Sequence, residues 1–104
     1  MKIHKSITYN QYYFWCPACN RAHGLNDRWT YNGNPDSPTF SPSVHVTGTV
    51  EITNEEAERI LKGEYIKPVP FVCHSFINDG KIQYLSDCTH ALAGKTVDLP
   101  DWEM

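Results

Sequence analysis

Short runs of alternating apolar and polar residues dominate this chain, and glycine and proline interrupt them at close intervals. The clearest alternation lies at 44–52, where valine and isoleucine side chains fall on one face and His45 falls on the other. The six Gly and seven Pro residues divide the rest of the chain into pieces of strand length. The pattern therefore predicts a β-rich fold in which His45 lies on the solvent-facing side of a strand.

Other segments of the chain are also typical of strands. The aromatic run at 9–15 and the stretch at 22–31 each end at a turn signal, and 97–100 is expected to form a last edge strand. The stretch 37–43, SPTFSPS, carries two prolines that cannot donate hydrogen bonds to a neighbouring strand. We therefore expect an extended loop at 37–43.

A β-hairpin is predicted in the C-terminal third of the chain. Segments 71–77 and 81–87 are rich in apolar residues and flank an Asp-Gly pair at 79–80, which favours a two-residue turn. Counting outward from that turn places Cys73 opposite Ser86.

One helix is predicted at 54–62. Thr53 and Glu56 have the spacing of a capping box, in which each side chain accepts a hydrogen bond from the other residue's backbone amide. Gly63 is a natural C-terminal stop. Because so short a helix is marginal on its own, we expect it to pack on a sheet.

Length and charge narrow the classes of function. The 104 residues are expected to form one domain over 1–104. Twelve acidic against nine basic residues give a net charge of −3, without the stripe of Lys and Arg that nucleic acid binding needs. No apolar run approaches the roughly 20 residues of a membrane span, and the polar start lacks a signal-peptide pattern. We therefore expect no nucleic acid partner, no membrane insertion and a cytoplasmic location.

The four cysteines are the strongest chemical signal in the chain. In a reducing cytoplasm, closely spaced cysteines more often bind metal than form disulfides. Cys16 and Cys19 form a Cys-Pro-Ala-Cys turn, and two thiolates at this spacing can bind one zinc ion. A thioredoxin-like redox role would need the motif to begin a helix in a βαβ unit, and the aromatic strand that precedes it disfavours that role.

The predicted hairpin is expected to supply the remaining metal ligands. If Cys73 pairs with Ser86, then Cys88 lies diagonally across from Cys73 on the same face, about 7–8 Å away along the backbone. Two side chains can span that distance to a tetrahedral ion. We therefore predict a structural Zn²⁺ bound by Cys16, Cys19, Cys73 and Cys88. His90 or His23 remains open as a substitute for one cysteine.

The same hairpin carries candidate catalytic residues. A zinc ion with four protein ligands has no position for an activated water, so catalysis would need residues away from the metal. A histidine base, a serine nucleophile and an orienting carboxylate suffice for acyl transfer. The candidates are His74, Ser75, Asp87 and His90. His74 is expected to point away from the metal, since it follows Cys73 in a strand. An open zinc site held by Cys73, Cys88 and His90 remains an alternative.

Three motifs in order resemble a family of small phage, prophage and bacterial proteins that includes BubE-like proteins. They are FWCPACNRAHGL at 14–25, PTFSPSV at 38–44 and CHSFINDGKIQYLSDCTHALAGKTVDLP at 73–100. The resemblance spans residues 12–100. BubE-like proteins are associated with bacterial ubiquitin-like conjugation operons. The resemblance therefore implies a phage or mobile-element context, in the cytoplasm of the host cell, and a peptidase role on a ubiquitin-like tail.

Together these features predict an α+β fold: a small β-rich single domain with a zinc knuckle, a C-terminal β-hairpin and one short helix. The predicted function is that of a zinc-stabilised phage or mobile-element protein with a hydrolytic site, a peptidase that acts on a protein or on a ubiquitin-like tail. The alternative is a non-enzymatic binding module that modulates a host or phage protein. Its expected anchors are the aromatic residues Tyr12, Tyr13, Trp29 and Trp102. Either function implies a protein partner or substrate.

Overall fold

The computed structural model describes residues 1–8 and 10–103. Tyr9, where the first strand is predicted to begin, lies outside the described residues. The elements in chain order are β1 (Ile3–Lys5), β2 (Tyr12–Cys16), β3 (Arg21–Leu25), β4 (Thr30–Tyr31), β5 (Phe40–Thr49), α1 (Asn54–Leu61), β6 (Pro70–Asn78), β7 (Lys81–Tyr84) and β8 (Thr96–Asp98). The prediction of a small β-rich fold with one short helix is confirmed.

The strands form two antiparallel sheets in which neighbours along the chain are neighbours in space. The first sheet has the order β1-β2-β3, and the second has the order β4-β5-β6-β7-β8. The predicted strand at 22–31 is in fact two strands in different sheets, β3 and β4. A turn in which the Trp29 amide donates to the Asn26 carbonyl separates them.

The predicted β6–β7 hairpin is confirmed. Asn78 pairs with Lys81 and Ile77 with Ile82, in the register counted from the sequence. Residues 79–80 both adopt positive φ, 50° and 77°, as a two-residue hairpin turn requires. The second strand, however, ends at Tyr84 rather than at 87.

The prediction of a loop at 37–43 is wrong, because β5 begins at Phe40 and includes Pro42. The proline is accommodated at an irregularity of the ladder. Phe40 pairs with Ile77 and Val44 with Ser75. Three residues of β5 but only one residue of β6 lie between these two pairs. Such a bulge tolerates proline, because the intervening residues do not pair regularly with the neighbouring strand. Beyond it the predicted alternation holds from Val44 to Thr47, but the strand ends at Thr49, and Val50 and Ile52 are exposed rather than buried.

The helix α1 has the predicted capping box but not the predicted packing. The Glu56 amide donates to the Thr53 hydroxyl, and the Thr53 amide donates to the Glu56 carboxylate. None of the eight helix side chains is buried, so the helix does not lie on a sheet. The capping box satisfies its first turn, and an ion pair between Arg59 and Glu64 lies at its other end. Within the described residues, no helix is long and apolar enough to cross a membrane.

One core cluster joins the two sheets. The first sheet contributes Phe14 and Leu25, which are at most 1% exposed, and the second contributes Ile77, Ile82 and Tyr84, also at most 1% exposed. Cys16 and Cys73 lie in the same cluster, one from each sheet. The cysteines are therefore positioned where the sheets meet.

Candidate functional site

His74 lies at the centre of β6, with its neighbours directed to the opposite face. Cys73 and Ser75 are 2% and 1% exposed and face the core between the sheets. The His74 side chain is 23% exposed and lies on the outer face of the second sheet, as strand parity predicts. Directly across the ladder it pairs with His45, which is exposed, and the two imidazole centroids are 4.7 Å apart.

On this outer face, His74 joins a serine and an aspartate. The distance from His74 Nε2 to Ser43 Oγ is 3.0 Å. The distance from His74 Nδ1 to Asp87 Oδ2 is 3.1 Å. With the ring proton on Nδ1, the imidazole donates to Asp87 and accepts from the Ser43 hydroxyl. Serine, histidine and carboxylate thus form one hydrogen-bonded chain, the arrangement by which serine nucleophiles are activated.

The bulge of β5 positions the serine. Ser43 is the last residue of the irregular stretch, immediately before regular pairing resumes at Val44. Bulges commonly redirect side chains near active sites. The Ser43 carbonyl also accepts a hydrogen bond of 3.4 Å from Trp29 Nε1, which holds the backbone of the bulge in place.

The turn after β7 positions the aspartate. Asp87 is 54% exposed at its side chain and is followed by Cys88, which is buried. The Cys88 Sγ accepts from the His74 amide at 3.2 Å and donates to the His74 carbonyl at 3.1 Å. Cys88 therefore holds the turn that carries Asp87 against the backbone of His74.

Two of the predicted catalytic residues meet in the structure, and two do not join them. His74 and Asp87 are paired, but Ser75 faces the core, because alternate residues of β6 point to opposite faces. His90 packs edge-on against Tyr84 at 4.7 Å, and its Nδ1 accepts from the Leu92 amide.

Ser43 was missed because the prolines around it predict a loop. It lies in the PTFSPSV motif at 38–44, one of the three that carry the family resemblance. That motif was the available signal.

A second cluster lies on the inner face of the same strand. Cys16, Cys19, His23 and Cys73 place one potential ligand atom each within 4.8 Å of one another. The sulfurs of Cys16 and Cys73 are 3.9 Å apart. Two sulfurs on one tetrahedral zinc are separated by about 3.7 Å, given Zn–S bonds of about 2.3 Å. This group can hold a metal ion.

The thiols of the cluster are strongly coupled. Hydrogen bonding from Cys73 lowers the pKa of Cys16 to about 3. The same hydrogen bond raises the pKa of Cys73 above its ordinary value, and burial raises the pKa of Cys19 to about 11. The raised pKa values oppose deprotonation of Cys73 and Cys19. A bound cation would favour deprotonation of both thiols.

Neighbouring groups support the cluster. The Tyr84 hydroxyl lies 3.1 Å from the Cys16 sulfur and accepts from the Ala18 amide at 3.3 Å. Among the described residues, Nε2 of His23 and Nε2 of His90 are buried without a hydrogen-bond partner, and of the two histidines only His23 belongs to the cluster. A buried imidazole nitrogen that lacks a partner is costly, and a metal ion is one group that would satisfy it.

The cluster contains three of the four predicted cysteines. Its fourth member is not Cys88 but His23, one of the two histidines left open as a substitute for a cysteine. The predicted pairing of Cys73 with Ser86 does not form, since β7 ends at Tyr84 and the chain turns away. His23 is brought in by the β2–β3 hairpin, which pairs it with Phe14.

The aromatic residues expected as exposed anchors are all partly covered by other parts of the molecule. Tyr12 contacts Tyr31 with ring centroids 4.8 Å apart, and Trp102 contacts Trp15 at 5.8 Å. Trp29 donates to the backbone of β5. These contacts assign the aromatic side chains at least in part to the fold.

Comparison with known proteins identifies one relationship. A family described as BubE, bacterial ubiquitination-like system serine protease, matches residues 1–85, which include Ser43, His74 and the four residues of the cluster. No curated protein and no solved structure matches the chain.

Proposed function

The chain belongs to the BubE family of bacterial ubiquitination-like system serine proteases, and on that premise we propose that it is a serine peptidase whose nucleophile is Ser43. His74 acts as general base and acid, and Asp87 orients it. The substrate is a protein in which the carboxyl end of a ubiquitin-like modifier is joined to an amine. The observation that carries the proposal is the chain of two hydrogen bonds, 3.0 Å and 3.1 Å, on the outer face of the second sheet.

The geometry supports a two-stage acyl transfer. The Ser43 oxygen attacks the scissile carbonyl carbon while its proton passes to Nε2 of His74. The carbon–nitrogen bond then breaks as His74 returns the proton to the leaving amine, which leaves an ester on Ser43. A water molecule attacks the ester, again giving a proton to His74. The bond to Ser43 then breaks as His74 returns that proton to the Ser43 oxygen, and the carboxylic acid is released. Asp87 stabilises the imidazolium that forms in each stage.

Labelling with a small fluorophosphonate tests this assignment. The reagent phosphonylates an activated serine with loss of fluoride, and it needs no knowledge of the substrate. We expect one adduct per chain, on Ser43, in the intact protein. Ser43→Ala should not be labelled, whereas Ser41→Ala, in the same bulge, should be labelled at the wild-type rate. Labelling of Ser75, or of no serine, would contradict the proposal.

We further propose that the inner cluster binds one Zn²⁺ through Cys16, Cys19, His23 and Cys73. Three thiolates and an imidazole suit zinc better than the hard cations, which prefer oxygen. Four protein ligands leave no open position, so the role is structural. Elemental analysis of protein purified without added metal should give one zinc per chain. A metal-free protein of normal stability would contradict this assignment.

A further inference from the structure

One lateral edge of β5 faces β6. The opposite edge, from Ser43 to Thr49, is here called the open edge. The short strand β4 pairs with β5 only at Phe40 and Ser41. Beyond these residues, no strand in the described part of the chain covers that side of β5. The open edge therefore begins at the proposed nucleophile itself.

The pairing with β6 shows where the backbone groups of His45 point. The His74 carbonyl accepts from the Leu85 amide at 2.9 Å, and the His74 amide donates to Cys88 Sγ, so both groups are directed away from β5. In an antiparallel ladder, two such opposed residues form a pair without mutual hydrogen bonds. His45 is the partner of His74. Its amide and carbonyl therefore point to the open edge.

Thr47 presents its backbone in the same direction. Its partner is Val72, whose amide donates to Thr89 Oγ1 at 2.9 Å and whose carbonyl accepts from the Thr89 amide at 3.0 Å. The Ser43 carbonyl, which accepts from Trp29, lies on this edge as well. Because the Ser43 carbonyl already accepts from Trp29, the backbone groups left for a ligand are those of His45 and Thr47. The strand rises about 13 Å from Ser43 to Thr47.

A cavity adjoins the far half of the open edge. Its volume is about 450 Å³, and it lies between β3, residues 46–51 and the start of β6. An ion pair of 3.5 Å connects Arg21 of β3 with Glu51, which follows β5, on two sides of the cavity. The lining combines apolar side chains and the exposed threonines of β5 with Cys19 and His23 of the inner cluster. A groove of this kind can receive the side chains of an extended peptide.

We propose that the substrate residues on the acyl side of the scissile bond bind as an extended strand along the open edge. Their backbone hydrogen-bonds to His45 and Thr47, and the side chains that point inward enter the cavity. The inference rests on the proposed peptidase function. When one modifier is joined to many target proteins, the residues on the acyl side of the scissile bond are the same in every conjugate, whereas those on the amine side vary. We therefore assign the acyl side to the open edge.

The recognised ligand is therefore an unfolded carboxyl-terminal tail of at least four residues. Strand addition to a sheet edge takes its affinity from main-chain hydrogen bonds and its specificity from pockets for alternate side chains. A folded segment cannot offer its backbone to the edge. The enzyme is expected to act on tails and linkers rather than within folded domains.

Peptidyl diphenyl phosphonates of increasing length test the inference. Ser43 attacks phosphorus and phenoxide leaves, and the peptide occupies the acyl side. We expect a five-residue probe to inactivate the protein at least about tenfold faster than a one-residue probe, since two or more added hydrogen bonds suffice for that factor. N-methylation of alternate backbone amides in the five-residue probe should remove the gain. Equal rates for all probes would overturn the inference.

Thr47→Pro tests the edge from the side of the protein. The substitution removes an amide that points outward, so it spares the ladder with β6, and proline is tolerated at edges. The variant should lose the length-dependent gain of about tenfold, whereas Thr47→Val, which changes the side chain alone, should keep it. A folded Thr47→Pro protein that retains the gain would overturn the inference.

The outcomes separate this inference from the proposed function. If the small fluorophosphonate fails to label Ser43, the peptidase assignment falls, and the edge proposal falls with it. If the reagent labels Ser43 but probe length and N-methylation have no effect, the edge proposal alone is wrong.

Discussion

The two faces of β6 carry different chemistry on adjacent residues. Cys73 points inward to a group of two buried thiols, the half-buried thiol of Cys19 and an imidazole, which joins the two sheets. His74 points outward to a serine and to an aspartate that is half exposed. The separation between them is one residue of a strand, and strand parity alone sends the side chains to opposite faces.

The proposed function assigns stability to the inner face and reactivity to the outer one. The inner cluster closes the link between Cys16 and Cys73, which are 57 residues apart, and such clips matter most where the core of a small chain is limited. The outer residues need access to substrate and to water. Because Cys73 and His74 are adjacent in β6, a metal ion bound by Cys73 would also fix the strand that carries His74.

The largest expected effect is that of Ser43→Ala. Without the hydroxyl no ester can form, so peptidase activity should fall by at least about 10³-fold. The inner face is untouched, and zinc content and Tm should match those of the wild type. Ser41→Ala is the matched control and should retain activity. Loss of zinc in Ser43→Ala would show that the two faces are not separable.

Asp87→Asn should have the next largest effect. The amide cannot stabilise the imidazolium and favours the wrong tautomer of His74, which should lower kcat by about 10²- to 10⁴-fold. Folding and zinc content should be unchanged, because the Asp87 side chain is 54% exposed. A kcat within about twofold of the wild type would exclude Asp87 from the proposed triad.

Cys73→Ser should have the opposite effects to Ser43→Ala, because it changes zinc content and stability and leaves the triad in place. Removal of one ligand from the inner cluster should lower zinc content well below one per chain and lower Tm by about 10 °C or more. Activity should fall in parallel with the folded fraction, since the triad itself is intact. If zinc content and Tm are both unchanged, the cluster is not a structural metal site.

Local chemistry made part of this architecture predictable. The Asp-Gly turn at 79–80 determined the register of β6 and β7, and the spacing of Thr53 and Glu56 determined where α1 begins. Parity then placed His74 opposite Cys73. These inferences needed only neighbours along the chain.

Non-local features defeated the remaining predictions. Ser43 comes into reach of His74 through a bulge that depends on how β5 aligns with β6. His23 joins the cluster only because the β2–β3 hairpin folds it back. The packing of α1 was also mispredicted, because none of its side chains is buried against a sheet.

Cys88 provides the last and smallest test of the two-face comparison. Cys88→Ala would leave the His74 amide without its acceptor, and we expect a loss of about 1–2 kcal/mol of stability and a reduction in activity of up to about tenfold. Cys88→Ser keeps a donor and an acceptor and should have a smaller effect on both. Since Cys88 lies outside the inner cluster, both variants should retain one zinc per chain. Zinc loss in Cys88→Ser would return Cys88 to the ligand set and link the two faces through the metal.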